Sequence, residues 1–245
     1  MPATLAPPTA PKADAPPKPA PARAPEPGGP ITVPASARTL EGFRAWIRSG
    51  EVPEQAEVAF WDGEIWIDMT NERIRSHVGP KTSLAAALVR WFDDRDFGKA
   101  FGDGVTLVNE AADLACGPDA VAFRWESFDS GRVALGEPTA DSKDDSVELV
   151  GSPDLVAEVL SASSVRKDTR VLPAKYFEAG VDEFWQVDAR GPRPTLRVLV
   201  RGEEAFEPAA ESDGWQRSGV LGREVRLTTL EQRHGFVRHR FEDRA

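Results

Sequence analysis

The chain has 245 residues, 30 of them Lys or Arg and 40 Asp or Glu, for a formal net charge of −10 and a sequence pI near 4.9. A single cysteine, Cys116, and three histidines (His77, His234, His239) exclude an internal disulfide and a cysteine-rich zinc site, and leave little for a metal held by nitrogen. No apolar run approaches the roughly 18 residues of a membrane-spanning helix, and the acidic balance argues against strong nonspecific nucleic-acid binding, which rests on Lys and Arg neutralising phosphates.

The N-terminal stretch MPATLAPPTAPKADAPPKPA has no continuous apolar segment of the kind a secretory signal needs, so a cytoplasmic protein is expected. Twelve of the 21 prolines fall within residues 1–34. Proline and alanine alternate there with charges, and such a segment buries too little apolar surface to fold. Residues 1–38 are therefore expected to form a disordered, extended tail, with a single domain over 39–245.

From Thr39 the pattern changes. Leu40, Phe43, Trp46 and Ile47 share one helical face, and Gly50 marks a stop. AEVAFWDGEIWIDM alternates around Asp62-Gly63, a hairpin signal. Residues 76–95 predict the longest helix, with Pro80 near its start and Leu84, Leu88, Trp91 and Phe92 at helical spacing. KAFGDGVTLVN reads as a strand with a turn at Gly102–Gly104, and GPDAVAFRW as another strand. Residues 129–148 are polar and acidic and read as a surface loop. Leu155–Leu160 reads as an apolar strand, followed by a helix over 168–179 ending at Gly180. DEFWQVD and PTLRVLVRG read as two strands joined by a turn at 190–194. The strand–helix–strand step between 154 and 188 implies a right-handed crossover and a parallel pair. The class is α/β or α+β with a mixed sheet and strand-rich flanks.

Glu158 is the first anomaly, a charge inside a strand otherwise built for burial. Such a charge costs several kcal/mol unless it is paired, hydrogen-bonded or metal-bound. Asp119 and Asp154 both follow proline at strand starts, where turn chemistry is the plainer reading. Two strands of one sheet can nevertheless bring Asp119 and Glu158 together. Convergent carboxylates hold Mg²⁺ through oxygen, and such an ion activates water against a phosphodiester. A nearby lysine would stabilise the transition state.

SPDLVAEVLSASSVRKDTRVLPAKYFEAGVDEFWQVD resembles the signature block of the Uma-two family of restriction endonuclease-like proteins, with Ser161, Ser163, Asp168, Tyr176, Gly180, Val181, Glu183, Trp185, Val187 and Asp188 in step. The resemblance runs over roughly residues 55–235. It implies a restriction endonuclease-like fold of the PD-(D/E)XK type, a mixed sheet flanked by helices, here with an extra N-terminal hairpin and C-terminal strands. It further implies metal-dependent hydrolysis of DNA phosphodiester bonds, with Mg²⁺ or Mn²⁺ as cofactor.

Carried over by position, Asp119 and Glu158 become catalytic acids and metal ligands, with Asp154 a supporting ligand. The family's lysine position, four residues after Asp168, is Leu172 in this chain, and Pro173 beside it disturbs a helix unless it lies in the first turn. Lys175 becomes the provisional catalytic lysine, with Lys167 and Arg166 as alternatives. Ala59 occupies a place where the family often has a glutamate. These two departures support a second reading, a catalytically inactive nuclease-fold module that binds nucleic acid or protein. A third makes the Pro-rich tail the functional part of an interaction protein. The run RHGFVRHRFEDR reads as a terminal edge strand with protective charges, and contact with nucleic-acid backbone is its alternative. DNA is the expected partner, a membrane is not, and a homodimer is the expectation for cutting duplexes.

Overall fold

The computed structural model describes residues 31–53, 55–138 and 145–245. Most of the expected tail lies outside the described residues, as does the segment 139–144 of the acidic loop. Residues 35–38 form a 3-10 turn whose Ala37 is fully buried, so packed chain begins ahead of residue 39.

Helix α1 (Leu40–Arg48) starts where Thr39 Oγ1 accepts from the Gly42 amide, and it buries Phe43 and Trp46. Strands β1 (Glu57–Trp61) and β2 (Glu64–Asp68) form the expected hairpin. Asp62 and Gly63 take positive φ, 50° and 79°, as the Asp-Gly pair requires. A single π-turn, Ile74–Val78, leads into α2 (Gly79–Asp93), with Pro80 in its first turn. The stretch expected as one strand with a turn is two strands, β3 (Gly98–Phe101) and β4 (Thr106–Asn109), which enter different sheets.

Next come β5 (Leu114–Cys116), β6 (Ala120–Arg124) and the short α3 (Trp125–Asp129). The region expected as a surface loop holds β7 (Val133–Leu135) and leads into β8 (Glu148–Gly151), a pair stitched together antiparallel. Strand β9 (Leu155–Val159) is followed by a second π-turn, Lys167–Val171, and α4 (Leu172–Glu178). The π-turn puts Pro173 in the first turn of a new helical segment, where its missing N–H is harmless. Helix α4 is terminated just before Gly180, whose φ of 79° suits glycine and where a Cβ would lie 2.9 Å from Ser152 Oγ. Strands β10 (Glu183–Asp188) and β11 (Thr195–Arg201) follow, then β12 (Phe206–Pro208), β13 (Glu211–Ser212), β14 (Trp215–Ser218), β15 (Arg223–Arg233) and β16 (Phe236–Arg244).

The strands form three sheets, ordered β2-β1-β5-β4-β8-β7, β12-β11-β10-β9-β6-β3 and β13-β14-β15-β16. The second sheet is the centre. There β9 pairs parallel with β10, across the α4 crossover, and antiparallel with β6. One face of β9 presents Leu155, Ala157 and Val159 to Leu84, Leu88 and Trp91 of α2. Trp91 meets Trp185 edge-on, with ring centroids 6.3 Å apart. The opposite face presents Val156 to Leu172 and Tyr176 of α4 and to Leu107 and Leu114 of the first sheet. Each fully buried Leu, Val or Phe side chain stabilises this arrangement by about 1.5–3 kcal/mol. Strand alternation therefore aims Glu158 at the α4 side, between two packed layers.

Candidate active site

Pairing of β6 with β9 sets Ala120 opposite Ala157 and Val121 opposite Val156. One step beyond this ladder stand Asp119 and Glu158. Directly opposed residues of antiparallel strands share a face, and both acids line one cleft of about 220 Å³. Glu57, Glu72, His77, Lys167 and Asp168 line it too. Neither acid points to open solvent: Glu158 is 2% exposed and Asp119 8%.

Asp119 Oδ2 accepts from the Val159 amide at 2.6 Å. Its Oδ1 lies 3.0 Å from Lys81 Nζ, and His77 Nε2 is 3.7 Å from Oδ2. Burial pushes this carboxyl up, but His77 and the Lys81 charge outweigh it and hold Asp119 below the usual carboxylate range. Glu158 behaves oppositely. Burial, with Asp119 and Asp168 nearby, raises it well above its ordinary value despite Lys167. Tyr176 Oη donates to Glu158 Oε1 at 2.5 Å.

Lys167 is the ammonium of the cleft. It donates to Glu57 Oε1 at 2.6 Å, lies 3.3 Å from Asp168 Oδ1, and sits 4.5 Å from the centre of the Trp66 ring. Burial works against its charge, but Glu158, Asp168 and Glu57 raise its pKa above the ordinary lysine value, so it stays protonated. Asp168 accepts from the Ser164 hydroxyl. Burial lifts its carboxyl to about 6, although Lys167 and Ser164 oppose the shift.

Two buried polar atoms of this cleft lack a hydrogen bond, Asp168 Oδ1 and His77 Nδ1. The second lies 3.3 Å from Glu72 Oε1 without hydrogen-bond geometry. Ligand atoms of Glu72, His77 and Asp119 all fall within 4.8 Å of one another. Carboxylates, one imidazole and uncommitted buried acceptors are the donor set of a divalent cation, so the residues present fit one.

The structure separates the other sequence-derived candidates from the cleft. Asp154 is fully buried and bound to other groups. It accepts from the Arg124 amide at 2.8 Å, from Arg124 Nε at 3.0 Å and from Ser127 Oγ at 2.9 Å, with Arg132 Nη1 at 3.3 Å. It lies four residues from Glu158, about 13 Å along an extended chain, and does not line the cleft. Lys175 is neither a cleft residue nor a solvated one. Its ammonium donates to Asp62 Oδ1 and Glu178 Oε2, both at 2.6 Å, and to the Ala112 carbonyl at 3.2 Å, which ties α4 to the β1–β2 turn.

Leu172 is core. The π-turn explains how a lysine reaches the cleft without it, because its i→i+5 bond runs from the Leu172 amide to the Lys167 carbonyl and stacks Lys167 beneath Leu172. Ala59 is also core, and Glu57, two residues earlier on the same strand face, supplies a carboxylate to the cleft. Sequence reasoning missed Lys81, Glu72 and Glu57. Lys81 did carry a signal, since it falls three and seven residues before Leu84 and Leu88 on the apolar face of α2.

A mixed central sheet flanked by helices, with paired acids and a lysine at its rim, has the restriction endonuclease-like nuclease fold. The model of a family described as "Uma2: Putative restriction endonuclease" matches residues 40–230, and the chain belongs to that family. Among solved structures it is similar to "a putative nuclease belonging to DUF820" from Anabaena variabilis ATCC 29413, at 17% identity and a TM-score of 0.53 over 75% of this chain and 90% of that one. That likeness concerns the fold. No curated protein matches the chain. Among the described residues no helix is long and apolar enough to cross a membrane.

Proposed function

We propose that this cleft is the active site of a divalent-metal-dependent endonuclease that hydrolyses phosphodiester bonds of DNA. The observation that carries the reading is the convergence of Asp119 and Glu158, from adjacent strands, on one cleft with the Lys167 ammonium. Asp119 and Glu158 would hold Mg²⁺ or Mn²⁺, with His77 and Glu72 at the rim. A divalent ion bound there would supply an activated water and neutralise charge on the phosphodiester.

The chain's own groups do the positioning. The Val159 amide and the Tyr176 hydroxyl each fix one carboxylate oxygen, of Asp119 and Glu158 respectively. Glu57 and Trp66 hold the Lys167 ammonium in place, a fixed positive charge for the pentacovalent phosphate. Duplex cleavage on both strands takes two such sites, which a two-fold homodimer would provide.

The inactive-module reading draws on the apolar Leu172, but the Lys167 ammonium in the cleft removes much of its ground. Cleavage of plasmid DNA with Mg²⁺ or Mn²⁺ tests the choice. The proposal expects nicking or linearisation that disappears in Glu158→Ala. Absence of cleavage across metals and substrates, or cleavage unchanged in the variant, would favour the inactive module.

A further inference from the structure

The cleft is poor in positive charge. Glu57, Asp68, Glu72, Asp119, Glu158 and Asp168 outnumber Arg73 and Lys167 among its lining residues, and the whole chain carries −10. A polyanion held at such a site needs cations close by.

The hairpin β15–β16 carries them. Its segment 233–241, RHGFVRHRF, holds three arginines and no acid. At the base, Phe241 packs in the core beside Trp91, and Arg95 of the α2 end donates to Asp243. Towards the tip, Arg233, Phe236, Val237, Arg238 and Arg240 are all exposed. The turn itself, His234-Gly235, has positive φ at both residues, 51° and 79°, which suits a tight antiparallel ribbon. The tip rests against Arg75, whose guanidinium stands 5.5 Å from the centre of the Phe236 ring. Arg75 lies two residues before His77, and Arg73 lines the cleft itself. Cationic groups thus run from the hairpin tip to the mouth of the site.

We propose that the β15–β16 tip, with Arg73 and Arg75, is a docking element that seats duplex DNA across the cleft mouth. This rests on the endonuclease reading for its purpose but not for its test. Charge complementarity selects a phosphate backbone, and guanidinium groups engage phosphate oxygens in pairs. The shape selects the duplex, because the major groove of B-DNA admits a two-stranded ribbon whereas that of A-form RNA is too deep and narrow. Phe236 and Val237 offer apolar contact to thymine methyl groups there.

The test is fluorescence anisotropy with the full chain and a labelled duplex oligonucleotide in EDTA, where no cleavage occurs. The triple variant Arg75→Gln/Arg233→Gln/Arg238→Gln is expected to bind roughly 10- to 100-fold more weakly, with a salt slope shallower by about 2–3, near 0.9 for each lost phosphate contact. Arg217→Gln, an exposed control on β14 opposite Glu224 at the base of the hairpin, should leave both readings unchanged. If the triple variant melts early, Arg238→Glu alone, at an exposed position, must weaken binding in the same direction. Equal affinity and slope in wild type and variants overturns the proposal. So does tighter binding of single-stranded DNA or duplex RNA than of duplex DNA.

Plasmid cleavage in Mg²⁺ is scored separately. Hairpin-dependent binding without cleavage would sink the hydrolase reading and leave the docking element standing. Cleavage with hairpin-independent binding would do the reverse.

Discussion

Two buried acids lie four residues apart, Asp154 just before β9 and Glu158 within it, and their surroundings are opposite. Around Asp154 stand a backbone amide, a serine hydroxyl and two arginines, all of them donors. Around Glu158 stand one tyrosine hydroxyl, two more carboxylates and one lysine that it shares with Asp168. Burial is alike at the two positions, 0% and 2% exposure. The two carboxylates differ in how many donors reach them, not in how deep they sit.

Substitutions at the two positions should therefore separate stability from activity. Glu158→Gln is expected to reduce metal-dependent cleavage by about 10³-fold, equivalent to about 4 kcal/mol of barrier, while the midpoint of urea unfolding stays put or rises. A neutral amide there removes a costly buried acid and its repulsion from Asp119 and Asp168. Asp154→Ala is expected to lower unfolding free energy by about 3 kcal/mol, since it strands Arg124 and Arg132. Its folded fraction should cleave at the wild-type rate. Equal effects on rate and stability at both positions would erase the distinction.

The two lysines sharpen it further. Lys167→Met should slow cleavage by about 10²-fold, as loss of one fixed charge at a developing anion does, with circular dichroism unchanged. Lys175→Met should leave the rate within about threefold and cost about 1 kcal/mol, the scale of a partly exposed ion pair. A rate loss confined to Lys175→Met would return the catalytic role to the helix residue.

The same contrast marks how far the sequence could be read. Local chemistry was legible: the α1 stripe, the Asp-Gly hairpin, the long α2 and the β9–α4–β10 crossover each follow from periodicity or a turn residue. The short strands were not. Strand β7 has three residues, β8 four, and neither has room to establish alternation. The chain between β3 and β4 reads as a simple turn, yet it passes from one sheet to another, a matter of long-range pairing.

At the site, Glu158 stood out because a charge inside an apolar strand is costly, whereas Asp119 carried only a weaker signal, an acid after proline at a strand start. Asp154 shared that signature, and only its arginines, at positions 124 and 132, distinguish it. The choice of Lys167 over Lys175 depended on the π-turn at Lys167–Val171, which ordinary helical spacing does not foresee.

Calorimetric titration of Mn²⁺ into the full chain, without DNA, tests whether Asp119 and Glu158 hold one shared ion. The account predicts saturable uptake of a single ion by wild type, weakened at least about tenfold in Glu158→Gln and retained in Asp154→Asn. Failure of the wild type to take up the ion, or equal uptake by both variants, would contradict it.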